Sequence, residues 1–326
     1  MKHPAQWSKE EFYTCLQHSV DLELWTLPLY LTALYSIKGL KDLNSRNYSS
    51  TAKLIASVAT QEMLHLEIAC NLCNAMGYSP VFSKPVYENG IPFLKPDAAH
   101  LPDDIKNFVV QTGSLNENTL KLFCAIELPE PKTHRAWNDD ETFDSIGHLY
   151  ESIYIAINLH WEKCFVGEAN NKCQNSNFNF VHQQQGLGLS QTINSIEEAH
   201  AAIEAIIEQG EGANDAFVKP DYRPLSSTKE NAFDLSSYES ELSHYQKFRL
   251  LLHHKQHLPQ VYDENNLQDA AAELQDLQHT FSQLLQLMEY NFNTEGNQLP
   301  SEFWNTMFDM KTKIIAVWEK GVCPRF

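Results

Sequence analysis

The sequence predicts an all-α protein, a four-helix bundle with additional helices and long connecting loops, on three observations. Apolar residues recur at three- and four-residue steps through several long segments, which is the spacing of one helical face. No alternation of apolar and polar residues persists long enough to indicate a sheet. Two copies of Glu-x-x-His stand inside apolar helical segments. These features predict helices packed on helices around a common core.

The predicted helices follow one another along the chain with loops between them. Ser49 or Ser50 is a suitable N-cap for the second helix, and Gly77 a suitable terminator. Residues 78–104 are rich in Pro, Asp and Gly, and residues 167–193 are polar, so both are predicted to be loops. The segments with helical spacing are residues 8–38, 48–77, a segment that begins at about 104–107, 142–166, 195–211, 236–257, 264–292 and 300–320. We expect residues 1–260 to form the bundle and residues 261–326 a C-terminal helical hairpin on the same core.

Composition and charge exclude several classes of function. The chain has 42 acidic and 24 basic residues, for a formal net charge of −18. This charge repels phosphate backbones and anionic lipid headgroups, so we expect neither a nucleic-acid nor a membrane partner. The N-terminal segment lacks an apolar signal core, and the longest apolar run, residues 24–35, is too short to span a bilayer. With seven Cys, several of them on apolar helix faces, these features predict a reduced, cytoplasmic protein.

The two Glu-x-x-His motifs carry the chemical signal. One is Glu62 with His65, and the other is Glu241 with His244. Residues three apart share a helical face, so both side chains of each motif can reach one metal ion. On a helical wheel of about 100° per residue, Glu62 and Glu241 each fall within the apolar stripe of their helix.

Glu23 makes a third acidic residue on an apolar face, among the leucines of the first helix. A buried, unpaired carboxylate costs several kcal/mol, and three on facing helices would repel one another. Divalent cations between them resolve both problems. Four-helix di-metal sites therefore place a Glu on each of two helices and Glu-x-x-His on each of the other two.

A fourth carboxylate is expected on the helix that precedes Glu241. Glu204, Glu208 and Glu211 all lie about 30–40 residues upstream, the spacing of one helical hairpin, and the antiparallel arrangement favours Glu208 and Glu211. On the helical wheel, neither Glu208 nor Glu211 falls at the centre of the apolar stripe. Glu151, on a longer helix, is the fallback.

Several ordered blocks resemble a known family. They are residues 22–37 (LELWTLPLYLTALYSI), 62–66 (EMLHL), Asn71, 74–77 (NAMG), 126–130 (IELPE), 146–147 (IG), 150–151 (YE), 208–212 (EQGEG), 243–245 (SHY) and Phe248. In this order they resemble the ferritin-like family that includes the iminophenyl-pyruvate dimer synthases of violacein and rebeccamycin biosynthesis. The likeness covers about residues 8–255, and it implies a ferritin-like bundle with Glu23, Glu62, His65, Glu241 and His244 at a metal site.

The residues and the resemblance together predict a non-haem di-iron carboxylate oxidoreductase, with manganese as the alternative metal. Its partners would be dioxygen or peroxide and a small substrate, for which the resemblance suggests an aromatic 2-oxo or imino acid. Tyr30, on the Glu23 stripe, is a candidate catalytic residue, although core packing is the simpler interpretation. A non-catalytic metal-binding or iron-handling protein is the alternative function. A homodimer is a candidate assembly.

Overall fold

All regular secondary structure in the described residues is helical. The computed structural model describes residues 2–91, 94, 101–129, 143–167, 173–178, 192–210, 242–264, 269–296 and 299–326. Within these ranges the α-helices are α1 (Lys9–Tyr35), α2 (Ser50–Ala75), α3 (Glu117–Ile126), α4 (Ile146–Cys164), α5 (Ile196–Gly210), α6 (His244–His253), α7 (Ala271–Asn293) and α8 (Ser301–Glu319). The described residues contain isolated β-bridges but no strand. The all-α prediction is confirmed.

The first two helices form the long central pair, and their ends follow from local sequence. α1 begins at a capping box, in which the Ser8 hydroxyl accepts the Glu11 N–H and the Glu11 carboxylate accepts the Ser8 N–H. Ser49 caps α2 through its side chain, and Gly77, just beyond the end of α2, has a φ of +73°. Both ends of α2 agree with the sequence prediction.

The remaining helices pack around this central pair. α1 and α2 lie along each other, α4 packs against α1 and α5, and α6 packs against α3 and α2. α7 and α8 pair with each other, and the Trp318 indole of α8 donates to the Thr32 carbonyl of α1 at 3.1 Å. The C-terminal pair therefore shares the core of the bundle, while the proposed boundary at residue 260 stays a prediction.

Two helix predictions differ from the structure. No helix begins at residues 104–107, because Asn107 adopts a left-handed φ of +68°; the helix begins instead at Glu117, capped by Asn116. The helix predicted over residues 236–257 is interrupted at Ser243, which is extended and forms a capping box with Gln246 at the start of α6. Residues 236–241 lie outside the described residues.

The described residues contain neither a disulfide nor a helix that could span a membrane. All seven Cys are free thiols, and Cys70 and Cys73, one turn apart on α2, are both fully buried. In the part of the chain that the structure describes, the helices are too short or too polar to cross a bilayer.

Candidate metal centre

Five ionisable side chains from four helices meet in the interior of the bundle. Glu23 comes from α1, Glu62 and His65 from α2, Glu127 from the C-cap of α3, and His244 from the first residue of α6. Each of these five residues is at most 2% exposed to solvent. Charged residues are almost never buried to this extent unless they are paired or bind a metal.

Glu62 lies at the middle of this group. Its Oε1 is 3.8 Å from Nδ1 of His65 and 2.8 Å from Nδ1 of His244. Glu23 Oε2 lies 3.7 Å from the same nitrogen of His65, and Glu127 Oε2 lies 3.6 Å from that of His244. One ligand atom from each of Glu62, His65 and His244 falls within 4.8 Å of the other two. The group thus has two ends, each with one histidine, joined by the Glu62 carboxylate.

Each carboxylate is held by one hydroxyl group. Tyr150 donates to Oε1 of Glu23 at 2.6 Å, and Thr26 donates to Oε2 of Glu62 at 2.8 Å. The Tyr30 hydroxyl donates to Oε1 of Glu127. In all three glutamates one oxygen accepts a hydroxyl proton and the other oxygen faces the histidines. This arrangement fixes the carboxylates and leaves one oxygen of each available inside the group.

The two histidines have different surroundings. Nε2 of His65 lies 3.0 Å from the amide oxygen of Gln209 on α5, and the two imidazole rings lie 5.3 Å apart. Nε2 of His244 is buried and makes no hydrogen bond within the described residues, whereas Nδ1 lies 2.8 Å from Oε1 of Glu62. A buried imidazole nitrogen this close to a carboxylate oxygen is a donor atom suited to a metal ion.

The surroundings of Glu23 and Glu62 disfavour their charged forms. Burial, and then the charge of Glu62, raises the pKa of Glu23 well above its usual value. Burial, and then the charge of Glu127, does the same to the pKa of Glu62. Burial lowers the pKa of His244, so its imidazole is disposed to be neutral. The buried ammonium of Lys247, one turn after His244, donates to Gln61 at 2.6 Å and adds one positive charge beside the group.

The donor set fits transition-metal ions. Three carboxylates and two neutral imidazoles are the hard and intermediate ligands that suit iron and manganese. Cations between the carboxylates would offset both their desolvation and their mutual repulsion. The Nδ1 atoms of His65 and His244, which face the carboxylates, would be the nitrogen donors.

The structure brings together four of the seven residues predicted as metal ligands: Glu23, Glu62, His65 and His244. Glu208 does not join them, because its side chain lies on the exposed side of α5. Glu204 and the fallback Glu151 are exposed as well. Glu211 and Glu241 lie outside the described residues. The candidate catalytic Tyr30 contacts the group through Glu127.

Sequence analysis missed Glu127, Gln209 and Tyr150 as members of the site. Glu127 follows Leu120 and Phe123 by seven and four residues, so it continues the apolar face of α3 and a correct helix start would have revealed it. All three residues fall within or beside the blocks that carry the family resemblance. No wheel position distinguishes Gln209 from an ordinary core amide.

Comparisons with known proteins agree with the fold. A family model described as Ferritin-like matches residues 16–253, and the chain belongs to this family. Among solved structures, a ferritin-like protein from Caulobacter vibrioides is 25% identical, with a TM-score of 0.76 over 98% of this chain and 99% of that chain. No curated protein matches the chain.

Proposed function

We propose that this protein is a non-haem di-iron carboxylate oxidoreductase that uses dioxygen or peroxide to oxidise a small organic substrate. The observation that carries the proposal is the convergence of three buried carboxylates on two buried imidazoles. Without cations this group would be strongly destabilising, so a metal centre is its simplest purpose.

The helical origin of the ligands favours two ions over one. Glu23 and Glu127 come from α1 and α3, and α2 supplies Glu62 with His65 three residues later. His244 would complete the di-metal pattern with Glu241, which stays a proposed ligand. Among the described residues Glu62 alone approaches both histidines, so its carboxylate would help to hold the metal at both ends of the group. We propose Glu127 as the carboxylate ligand for which Glu208 and Glu211 were the candidates from sequence.

The bound metal pair would supply the redox chemistry, with dioxygen or peroxide as the electron acceptor. The protein's own residues position and shield it. The Tyr150, Thr26 and Tyr30 hydroxyls orient the three carboxylates, and Gln209 orients His65. Tyr30 is proposed as a positioning residue for Glu127, to which its hydroxyl donates, and, from this location, as a group near the reacting atoms.

The substrate class rests on the resemblance alone. The iminophenyl-pyruvate dimer synthases couple imines of aromatic 2-oxo acids oxidatively, so we propose an aromatic 2-oxo or imino acid as the first substrate to test. Coupling of two such molecules removes two electrons and two protons, which the oxidant accepts. A homodimer is proposed as the assembly to be checked at the same time.

Metal analysis and oxygen uptake test the proposal. The full chain should bind two iron ions, and its ferrous form should consume dioxygen faster in the presence of an aromatic 2-oxo acid and ammonia than without them. Glu62→Ala is the matched inactive variant, and Glu204→Ala, on an exposed residue, is the control. Failure to bind iron or manganese would refute the metal centre. Iron oxidation without any effect of substrate would instead favour the alternative, an iron-handling protein.

A further inference from the structure

A large apolar cavity lies between the central helix pair and the C-terminal pair. Its volume is about 580 Å³, within the range of about 300–1,000 Å³ of small-molecule sites. Protein interiors are close-packed and contain few voids larger than a water molecule. A space of this size between packed helices is large enough to hold a small apolar ligand.

The cavity is separate from the metal centre, although the same two helices contribute to both. Leu24 and Leu31 of α1 and Met63 of α2 line it, whereas Glu23 and Glu62 point to the carboxylate group. None of the five converging side chains lines the cavity, and Leu24 and Met63 each lie about 100° around their helix from the neighbouring glutamate. The opposite wall comes from α7 and α8, which contribute nothing to the metal centre.

The lining is apolar and adaptable. Four of the six Met of the chain line the cavity, at positions 63, 288, 307 and 310. Methionine is unbranched and polarisable, and it is over-used at surfaces that accommodate flexible apolar ligands. Phe308, also in the lining, is 66% exposed, so the apolar wall continues to the outside. A cavity with such walls favours hydrocarbon over water.

One charged side chain, Lys311, lies among the lining residues. Its ammonium donates to the Leu43 carbonyl at 2.7 Å and lies 5.4 Å from the centre of the Tyr48 ring. Within the described part of the chain Lys311 makes no ion pair, whereas Lys313, two residues later, pairs with Asp276 and Asp309. The charge of Asp42 acts on this ammonium from beyond ion-pair distance, so the cation at the apolar cavity still has room for an anionic headgroup.

We propose that this cavity binds a long-chain aliphatic carboxylate, with its hydrocarbon chain among the methionine and leucine side chains and its carboxylate paired with Lys311. This binding activity is independent of the proposed oxidoreductase function. The charge selects the acid over the corresponding alcohol, and the apolar walls supply most of the affinity.

Calorimetric titration of the full chain as purified tests the proposal. Dodecanoate should bind once per chain, and dodecan-1-ol and dodecyltrimethylammonium should bind about tenfold more weakly or not at all. Lys311→Met should lower the affinity for dodecanoate about tenfold and leave that for the alcohol unchanged. Lys313→Met, the matched control on the same helix, should change neither.

Two further variants test the location. Ala59→Leu and Met307→Trp reduce the cavity from opposite walls, and each should weaken binding of both ligands; thermal melting shows whether the variant has folded, and Met307→Trp remains informative if Ala59→Leu does not fold. Absence of dodecanoate binding would overturn the proposal, as would equal affinity in Lys311→Met and the parent chain. A dimer in sedimentation that Phe308→Ser converts to a monomer would also overturn it, because a second copy would then cover the cavity mouth.

Discussion

Nε2 of His65 lies 3.0 Å from the amide oxygen of Gln209. Because an amide oxygen can only accept, Nε2 carries a proton and donates, so in the neutral imidazole the Nδ1 lone pair is directed at Glu23 and Glu62. α5 therefore contributes to the centre through the neighbour of Glu208 and not through Glu208 itself. Gln209 determines which tautomer of His65 faces the carboxylates.

Gln209→Ala should weaken iron binding about 10- to 100-fold, the usual effect of removing a hydrogen bond that orients a metal ligand. Competition with a chelator of known affinity measures the change. Glu204→Ala on the exposed face of the same helix serves as the control and should leave the affinity unchanged. Equal affinities in Gln209→Ala and the parent chain would show that His65 is oriented by packing alone.

Glu127 and Glu208 are competing assignments for one carboxylate ligand, and alanine variants separate them. Glu127→Ala should lower the iron content from two ions per chain to one or none, because it removes the carboxylate beside His244. Glu208→Ala should retain two ions, because its side chain is exposed. Elemental analysis of the purified variants gives the answer. Loss of metal in Glu208→Ala would restore the sequence-based assignment.

Removal of the metal should lower the free energy of unfolding. A ligand present at 100 times its dissociation constant stabilises the folded state by about 2.7 kcal/mol. Calorimetric melting with and without a chelator measures the difference. Glu62→Gln should abolish the dependence on metal, and its apo form should melt above the apo form of the parent chain, since one buried carboxylate is gone. Identical melting with and without chelator would argue against an internal metal centre.

Three of the four predicted ligands that the structure brings together lie in the middle of long helices. Glu23, Glu62 and His65 stand several turns from any helix end, so a periodic pattern places them on the buried face whatever the exact boundaries. Glu127 and His244 stand at helix ends, where a wheel depends on the first or last residue; His244 was predicted through its Glu-x-x-His motif, and Glu127 belongs to no such motif. The helix of Glu127 was predicted to begin near residue 104. Asn107 prevents this start through its left-handed backbone conformation, which the surrounding sequence does not reveal. Gln209 meets His65 across 144 residues, a distance that local patterns do not reach.

Gly77→Ala should destabilise the fold by about 2–3 kcal/mol. Its φ is +73°, and an added Cβ would lie 2.9 Å from Cγ1 of Val166 and 3.3 Å from the Cys164 carbonyl oxygen. Gly39→Ala is the control, because Gly39 has a φ of +86° with no heavy atom within 4 Å of the added carbon. It should cost about 1 kcal/mol, the penalty of the left-handed backbone alone. Equal losses of stability in urea denaturation would contradict the packing of Val166 on this turn.

His18 should give the chain an acid-dependent stability. Burial lowers the pKa of His18 to about 4, below its ordinary value of 6.5. Between these two values the unfolded chain binds more protons, so the free energy of unfolding should fall by up to about 3 kcal/mol as the pH drops from 6.5 to 4. His18→Gln should lack this part of the slope, and His257→Gln, on an exposed side chain, should retain it. Parallel pH profiles for His18→Gln and the parent chain would contradict the shift.

Two of the five converging side chains owe their location to where a helix stops or starts. Glu127 is the C-cap of α3, two residues before Pro129, and His244 is the first residue after the Ser243 N-cap of α6. A carboxylate at a helix C-terminus is repelled by the partial negative charge of the free carbonyl groups there. Fraying of either terminus by one turn would therefore withdraw a ligand without altering a single residue. The ends of these two helices therefore determine where Glu127 and His244 lie. A change to a capping residue outside the centre should alter the proposed metal site as well.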